Sequence, residues 1–124
     1  MPTRARATIV CLRSGKVLLV KKRHAKWNLP GGAIEAGETP LQAALRELEE
    51  ETRLQAEKML QLCEIAIGDT LHYIFCLQVD DQTKAIPARE ISQCRWVRKK
   101  SLNGIPLTLR AGKLVRRELP VLIP

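Results

Sequence analysis

Apolar and polar side chains alternate over residues 5–12, where β-branched residues are frequent, and this predicts a strand. Ser14 and Gly15 mark a turn, and residues 16–22 form the return strand. Val17, Leu18, Leu19 and Val20 are apolar without interruption, so this strand is expected to be central and covered on both faces. The period then lengthens. Over residues 40–52, Leu41, Leu45, Leu48 and Thr52 fall on one stripe at ~100° per residue, which predicts a helix with that stripe as its core face. Thr39 is a suitable N-cap, Pro40 fits the first helical position, and Gln42 completes a capping box. Residues 58–67 and 70–79 read as strands joined by a Gly68-Asp69 turn, with Tyr73 and Phe75 on one face and Ile74 and Cys76 on the other. Residues 90–97 give a last strand. Residues 108–119 give a C-terminal helix with Leu109, Leu114 and Val115 as core candidates.

Composition narrows the class. A chain of 124 residues with 45% hydrophobic content is expected to be one globular domain, residues 1–124. There is no run of 18 apolar residues and no apolar stretch behind Arg4 and Arg6, so neither a membrane span nor a signal peptide is expected. Cys11, Cys63, Cys76 and Cys94 lack metal-ligand spacing and sit in strand-like contexts. They read as buried reduced thiols, which points to the cytoplasm.

The net charge of +8 is unevenly placed. Residues 32–54 hold six acids and two bases, whereas the remainder holds 19 bases against seven acids. An acidic patch in a basic body suits a polyanionic substrate. The basic C-terminal part also raises RNA as a partner, less favoured than a small nucleotide. A monomer or a homodimer is compatible with the sequence.

The acids have a definite arrangement. Glu47, Glu50 and Glu51 share a second stripe of the helix at spacing i, i+3, i+4. Like charges so placed repel by ~0.2–0.5 kcal/mol per pair, and the last helical turns favour cations. Half-buried, a close pair costs ~4 kcal/mol at an effective dielectric of about 20. Something positive must offset this. With Glu35 and Glu38 on the preceding glycine-rich turn, five carboxylates are expected to converge into a hard-cation site suited to Mg²⁺ or Mn²⁺.

These residues resemble the Nudix box, G-x5-E-x7-R-E-U-x-E-E-x-G-U, where U is a bulky aliphatic residue. Gly32, Glu38, Arg46, Glu47, Leu48, Glu50, Glu51 and Leu54 match, and Trp27, Pro30, Gly31 and Gly32 resemble the family's W-x-x-P-G-G approach. Arg53 departs, standing where the family has a glycine that ends the helix in a left-handed conformation. The match covers 23 of the 124 residues. The resemblance implies an α+β fold, an α/β/α sandwich around a mixed sheet, with the box helix on one face and the C-terminal helix on the other. It implies metal ligands at Glu47, Glu50, Glu51 and the Gly32 carbonyl. Glu38 and Arg46 would form a buried ion pair, with Glu35 also structural.

The implied reaction is metal-dependent hydrolysis of a nucleoside diphosphate linked to another group. The candidate general bases are Glu47, Glu50 and Glu90, the last just before the final strand. Arg23, Lys22 and Lys26 are candidates to grip phosphates, and Tyr73 to contact substrate. His24 and Trp27 read as a surface and a core residue. Subfamily marks for ADP-ribose, coenzyme A and NADH are absent, and Tyr73 lies 19 residues after Leu54, slightly off the dinucleoside polyphosphate mark. A MutT-like nucleoside triphosphate pyrophosphohydrolase is therefore expected. The alternatives are an enzyme of RNA 5′ ends, a hydrolase of ADP-ribose or dinucleoside polyphosphates, and a non-catalytic binding module.

Overall fold

A computed structural model describes residues 2–117 and 119–122. Strands β1 (Arg4–Arg13) and β2 (Lys16–Lys22) form a hairpin through Ser14 and Gly15, both at positive φ. Two very short strands follow, β3 (Trp27–Asn28) and β4 (Gly31–Ala33). Then come helix α1 (Pro40–Thr52), strands β5 (Leu60–Ile67), β6 (Thr70–Val79) and β7 (Ile91–Arg98), and helix α2 (Leu109–Arg116).

The strand registers explain the sheet's shape. β6 runs parallel along the whole of β1, from Arg4 opposite Thr70 to Arg13 opposite Val79. β7 runs antiparallel along the whole of β2. Each strand has two edges, so one remains free on β1 and one on β2. The two pair there only at Leu12–Val17 and Arg13–Lys16, beside the turn. Beyond that point the hairpin splays open, and the wedge is filled by β4 on β1 and β3 on β2. The mixed sheet therefore carries a split beside the chain that leads into α1.

Alternation assigns each face. Ala7, Ile9, Cys11, Leu18 and Phe75 pack with Ala43, Ala44 and Leu48 of α1. Val10, Leu12, Val17, Leu19 and Ile74 pack with Leu114 of α2 and with Trp27, Leu119 and Leu122. The fold is α+β, with a mixed sheet between helical layers. β2 is central, as its unbroken apolar run predicts, because its two faces enter different cores.

Helix α1 begins and ends where its capping residues dictate. The Thr39 hydroxyl accepts from the Gln42 amide at 3.1 Å, and the Gln42 side chain accepts from the Thr39 amide at 2.8 Å. At the other end Arg53 takes the left-handed conformation (φ 64°), and its amide donates to the Glu49 carbonyl. The core face differs from expectation. Ala43 and Ala44 are fully buried beside Leu48, whereas Leu41 and Leu45 are half-buried, because small side chains let α1 sit close on the sheet.

Further differences are local. Leu109 is 72% exposed rather than in the core, at the first position of α2, whereas Leu114 is buried. The helix stops at Arg116 rather than at residue 119. Only Cys11 among the four free cysteines is fully buried. No helix among the described residues is long and apolar enough to cross a membrane.

Candidate active site

The glycine turn is held on β1 by backbone bonds, Ile9 to the Pro30 carbonyl (2.9 Å) and Ile34 to the Ala5 carbonyl (3.1 Å). Gly31 has φ 149°, and a Cβ there would strike the Ala7 carbonyl, so only glycine permits the approach. A Cβ on Gly32 would fall on the carboxylate of Glu47. The turn thus brings the Gly32 backbone against α1. The Gly31 amide donates to Glu51 Oε1 at 3.0 Å.

Arg46 supplies the positive charge that the acidic stripe demands. Its guanidinium donates to both oxygens of Glu38 at 2.7 and 3.0 Å and to Glu47 at 2.7 Å. It also reaches Glu50 at 3.3 Å and Glu35 at 3.7 Å, and donates to the Ala33 carbonyl at 3.1 Å. Arg46 holds Glu38 down at about pKa 2, mainly through their hydrogen bond. In return its own pKa is raised, with Glu38 the largest contributor and desolvation opposing.

Glu47 and Glu51 behave differently. Desolvation raises the pKa of Glu47 against the pull of Arg46. Glu51 is 5% exposed, and burial pushes its carboxyl up to about 7 despite the Gly31 amide. Both line a cleft of about 700 Å³ beside the split in the sheet. Glu90 lines it too. Its loop is tied to the end of α1, where the Glu51 and Thr52 carbonyls accept from the Ala88 and Ile86 amides, satisfying orphan helix-end acceptors.

The cleft is also lined by basic residues, Arg6, Lys22, Lys26, Arg110 and Lys113. Arg6 is half-buried and its pKa falls to about 10, through desolvation first and Arg110 second. His72, opposite Arg6 in the β1–β6 register, is buried and shares a 3.0 Å hydrogen bond with Thr8. Burial, then Arg6 and Arg110, push His72 down to about 4, so it is neutral near pH 7.

Of the residues singled out in the sequence, Gly32, Glu47, Glu51, Glu90, Lys22 and Lys26 line the cleft. Glu35, Glu38 and Glu50 gather on Arg46 instead. Arg23 is exposed outside the cleft lining, and Tyr73 packs half-buried among the α1-side core residues. Sequence reasoning missed Arg6, His72, Thr108, Arg110 and Lys113. Arg6 had one signal, a charge on the same strand face as Val10 and Leu12.

The five carboxylates do not meet at one point. Among the described residues, no three His, Cys, Asp or Glu side chains stand close enough to share an ion. The reason is that Arg46 occupies Glu47 and Glu50 while Gly31 holds Glu51. The donor chemistry nevertheless fits a hard divalent cation: carboxylates on one helix face, with a backbone that has no Cβ pressed against Glu47.

A family model described as NUDIX domain matches residues 1–117. The chain is 35% identical over 89 residues to a Mycobacterium tuberculosis protein named "Putative 8-oxo-dGTP diphosphatase 3", covering 65% of this chain and 41% of that protein. It is 34% identical over 101 residues to Phosphatase NudJ of Escherichia coli, covering 73% of this chain and 66% of that one. The chain thus spans less than two thirds of the length of these relatives. The crystal structure of a MutT NUDIX hydrolase from Burkholderia pseudomallei superposes with a TM-score of 0.79 at 21% identity, covering 96% of this chain and 99% of that one.

Proposed function

Because this chain belongs to the NUDIX family, whose domain model matches residues 1–117, we propose that it hydrolyses the pyrophosphate linkage of a nucleoside diphosphate derivative, with a nucleoside triphosphate as the preferred substrate. One observation carries this reading. Glu47, Glu51 and Glu90 line one cleft together with Arg6, Lys22 and Lys26. The carboxylates suit a divalent cation, and the cations beside them suit the phosphate chain.

Glu51 and the Gly32 carbonyl would hold Mg²⁺ or Mn²⁺, joined by Glu47 and Glu50 once they leave Arg46. The bound ion supplies charge neutralisation of the phosphates and a more acidic water. The chain's own residues do the rest. Lys22 and Lys26 orient the phosphate chain. A carboxylate accepts the proton of the attacking water. Glu90 is the candidate with no competing hydrogen bond among the described residues, whereas Glu47 and Glu50 are engaged by Arg46. Attack at phosphorus breaks the bridging P–O bond, and the leaving phosphate departs against the cations.

The test is a phosphate- and pyrophosphate-release screen with Mg²⁺ over nucleoside triphosphates, nucleoside diphosphates, nucleotide sugars and dinucleoside polyphosphates. Turnover that stops on chelation and is fastest with triphosphates is expected. No turnover of any member, with either Mg²⁺ or Mn²⁺, would refute the reading.

A further inference from the structure

The cleft extends from the acidic residues into a recess between the open face of β1 and β6 and the start of α2. Its walls are the side chains of Arg6, Thr70, His72, Thr108 and Arg110. Three features of this recess stand out together.

First, the Arg6 guanidinium is poorly satisfied. Its Nη2 reaches the Leu29 carbonyl only at 3.4 Å, and its Nε is buried with no hydrogen-bond partner. A buried donor left without a partner is costly, more so on a charged group, and an incoming acceptor would remove that cost. Second, Arg110 repels Arg6 across the recess, and among the described residues neither forms an ion pair. Glu51 and Glu47 attract Arg6 but are turned to Gly31 and Arg46. Third, no Trp, Tyr or Phe lines the cleft among the described residues. Trp27 is in the α2-side core, while Phe75, Tyr73 and Trp96 belong to the α1-side core. A nucleobase entering the recess would find only the His72 imidazole, which is buried and hydrogen-bonded to Thr8, and no large ring to stack on. An anion would meet two guanidiniums and end their repulsion.

We infer that this recess is an anion subsite in which Arg6 and Arg110 bind a phosphoryl group of the substrate beyond the two of the scissile linkage. The proposal deepens the phosphoanhydride hydrolase reading above and rests on it for the identity of the substrate. The phosphoryl group has two chemical sources, the end of a triphosphate chain or a phosphate ester on the group attached to the diphosphate. Either way, substrates with a third phosphoryl group are selected over those without one.

Binding is tested without catalysis, by calorimetric titration of inorganic pyrophosphate into the protein in EDTA. Wild type binds. Arg6→Gln and Arg110→Gln each weaken binding by about tenfold or more, as loss of a charge-assisted contact requires. Lys58→Gln removes the same charge at an exposed position outside the cleft and binds as wild type does. Should Arg6→Gln fold poorly, the exposed Arg110 decides the matter. The substrate arms are adenosine diphosphate, adenosine triphosphate, adenosine 3′-phosphate 5′-diphosphate and ADP-glucose. The two with a third phosphoryl are favoured in kcat/KM by about 10–100-fold, through KM, and Arg110→Gln collapses the ratio. Which of the two leads identifies the source. Unchanged pyrophosphate binding in both arginine variants overturns the subsite. Arginine-dependent binding without hydrolysis of any nucleotide overturns the hydrolase reading and leaves the subsite standing.

Discussion

Arg46 and Glu38 meet face to face, Nε to Oε2 at 2.7 Å and Nη2 to Oε1 at 3.0 Å, joining the glycine-rich turn to the middle of α1. The same guanidinium is the shared counter-ion of Glu35, Glu47 and Glu50. Removing it would leave four carboxylates around an empty place. The Arg46 side chain is 25% exposed, so water relieves part of the cost. Arg46→Ala is expected to destabilise the fold by ~1–3 kcal/mol, below the ~3–5 kcal/mol of a fully buried pair. Arg46→Lys keeps the charge but loses the fork, and should recover less than half of that loss. Urea denaturation of the three proteins measures it.

Glu50→Gln and Glu51→Gln separate chemistry from stability. Glu51 is a buried carboxylate whose ionisation burial opposes, and a glutamine oxygen can still accept from Gly31. Its melting temperature should hold or rise. Divalent-dependent turnover should fall by ~100-fold or more in each variant, because an ion ligand contributes several kcal/mol at the transition state. Near-normal turnover in both would exclude the metal assignment.

Arg53 occupies the left-handed C-cap of α1, a conformation that costs a non-glycine residue ~1–2 kcal/mol. Its side chain is exposed and offers little in return. Arg53→Gly should therefore stabilise the protein by ~0.5–1 kcal/mol after glycine's own entropic cost, with turnover unchanged. A melting curve and one rate measurement suffice. A lower melting temperature would mean that Arg53 makes compensating contacts.

The sequence announces α1 so clearly because its limits are local chemistry: Thr39, Pro40 and Gln42 start it, and a helix-period pattern carries it to Thr52. β2 and β6 were equally readable, since an unbroken apolar run in the one and the two-faced pattern behind the Gly68-Asp69 turn in the other are also local. Residue identity brought Gly32, Glu47 and Glu51 forward as site residues, and each lines the cleft. Arg6 and His72 could not be found that way. They become neighbours only when β6 pairs parallel with β1, a contact across 66 positions that no local pattern encodes. Leu109 misled for the related reason that a helical stripe does not say which of its positions the rest of the fold covers.

His72 gives the fold a pH dependence of known sign. It is buried against Thr8 from β1, with Arg6 from β1 and Arg110 from α2 as the charged groups that oppose its protonation. Its folded pKa of about 4 lies below the ordinary value of 6.5. Between those values the unfolded chain binds a proton that the native protein refuses. Stability from this residue is thus complete above pH 6.5 and is lost as the pH falls toward 4, by at most ~1.4 kcal/mol per pH unit. Glu51 titrates in the opposite sense, its raised pKa of about 7 favouring the folded state at low pH. Comparing wild type with His72→Gln cancels that contribution. Denaturation at pH 4.5, 5.5 and 7 should show the variant losing less stability on acidification than wild type. Parallel curves would place the proton on another group.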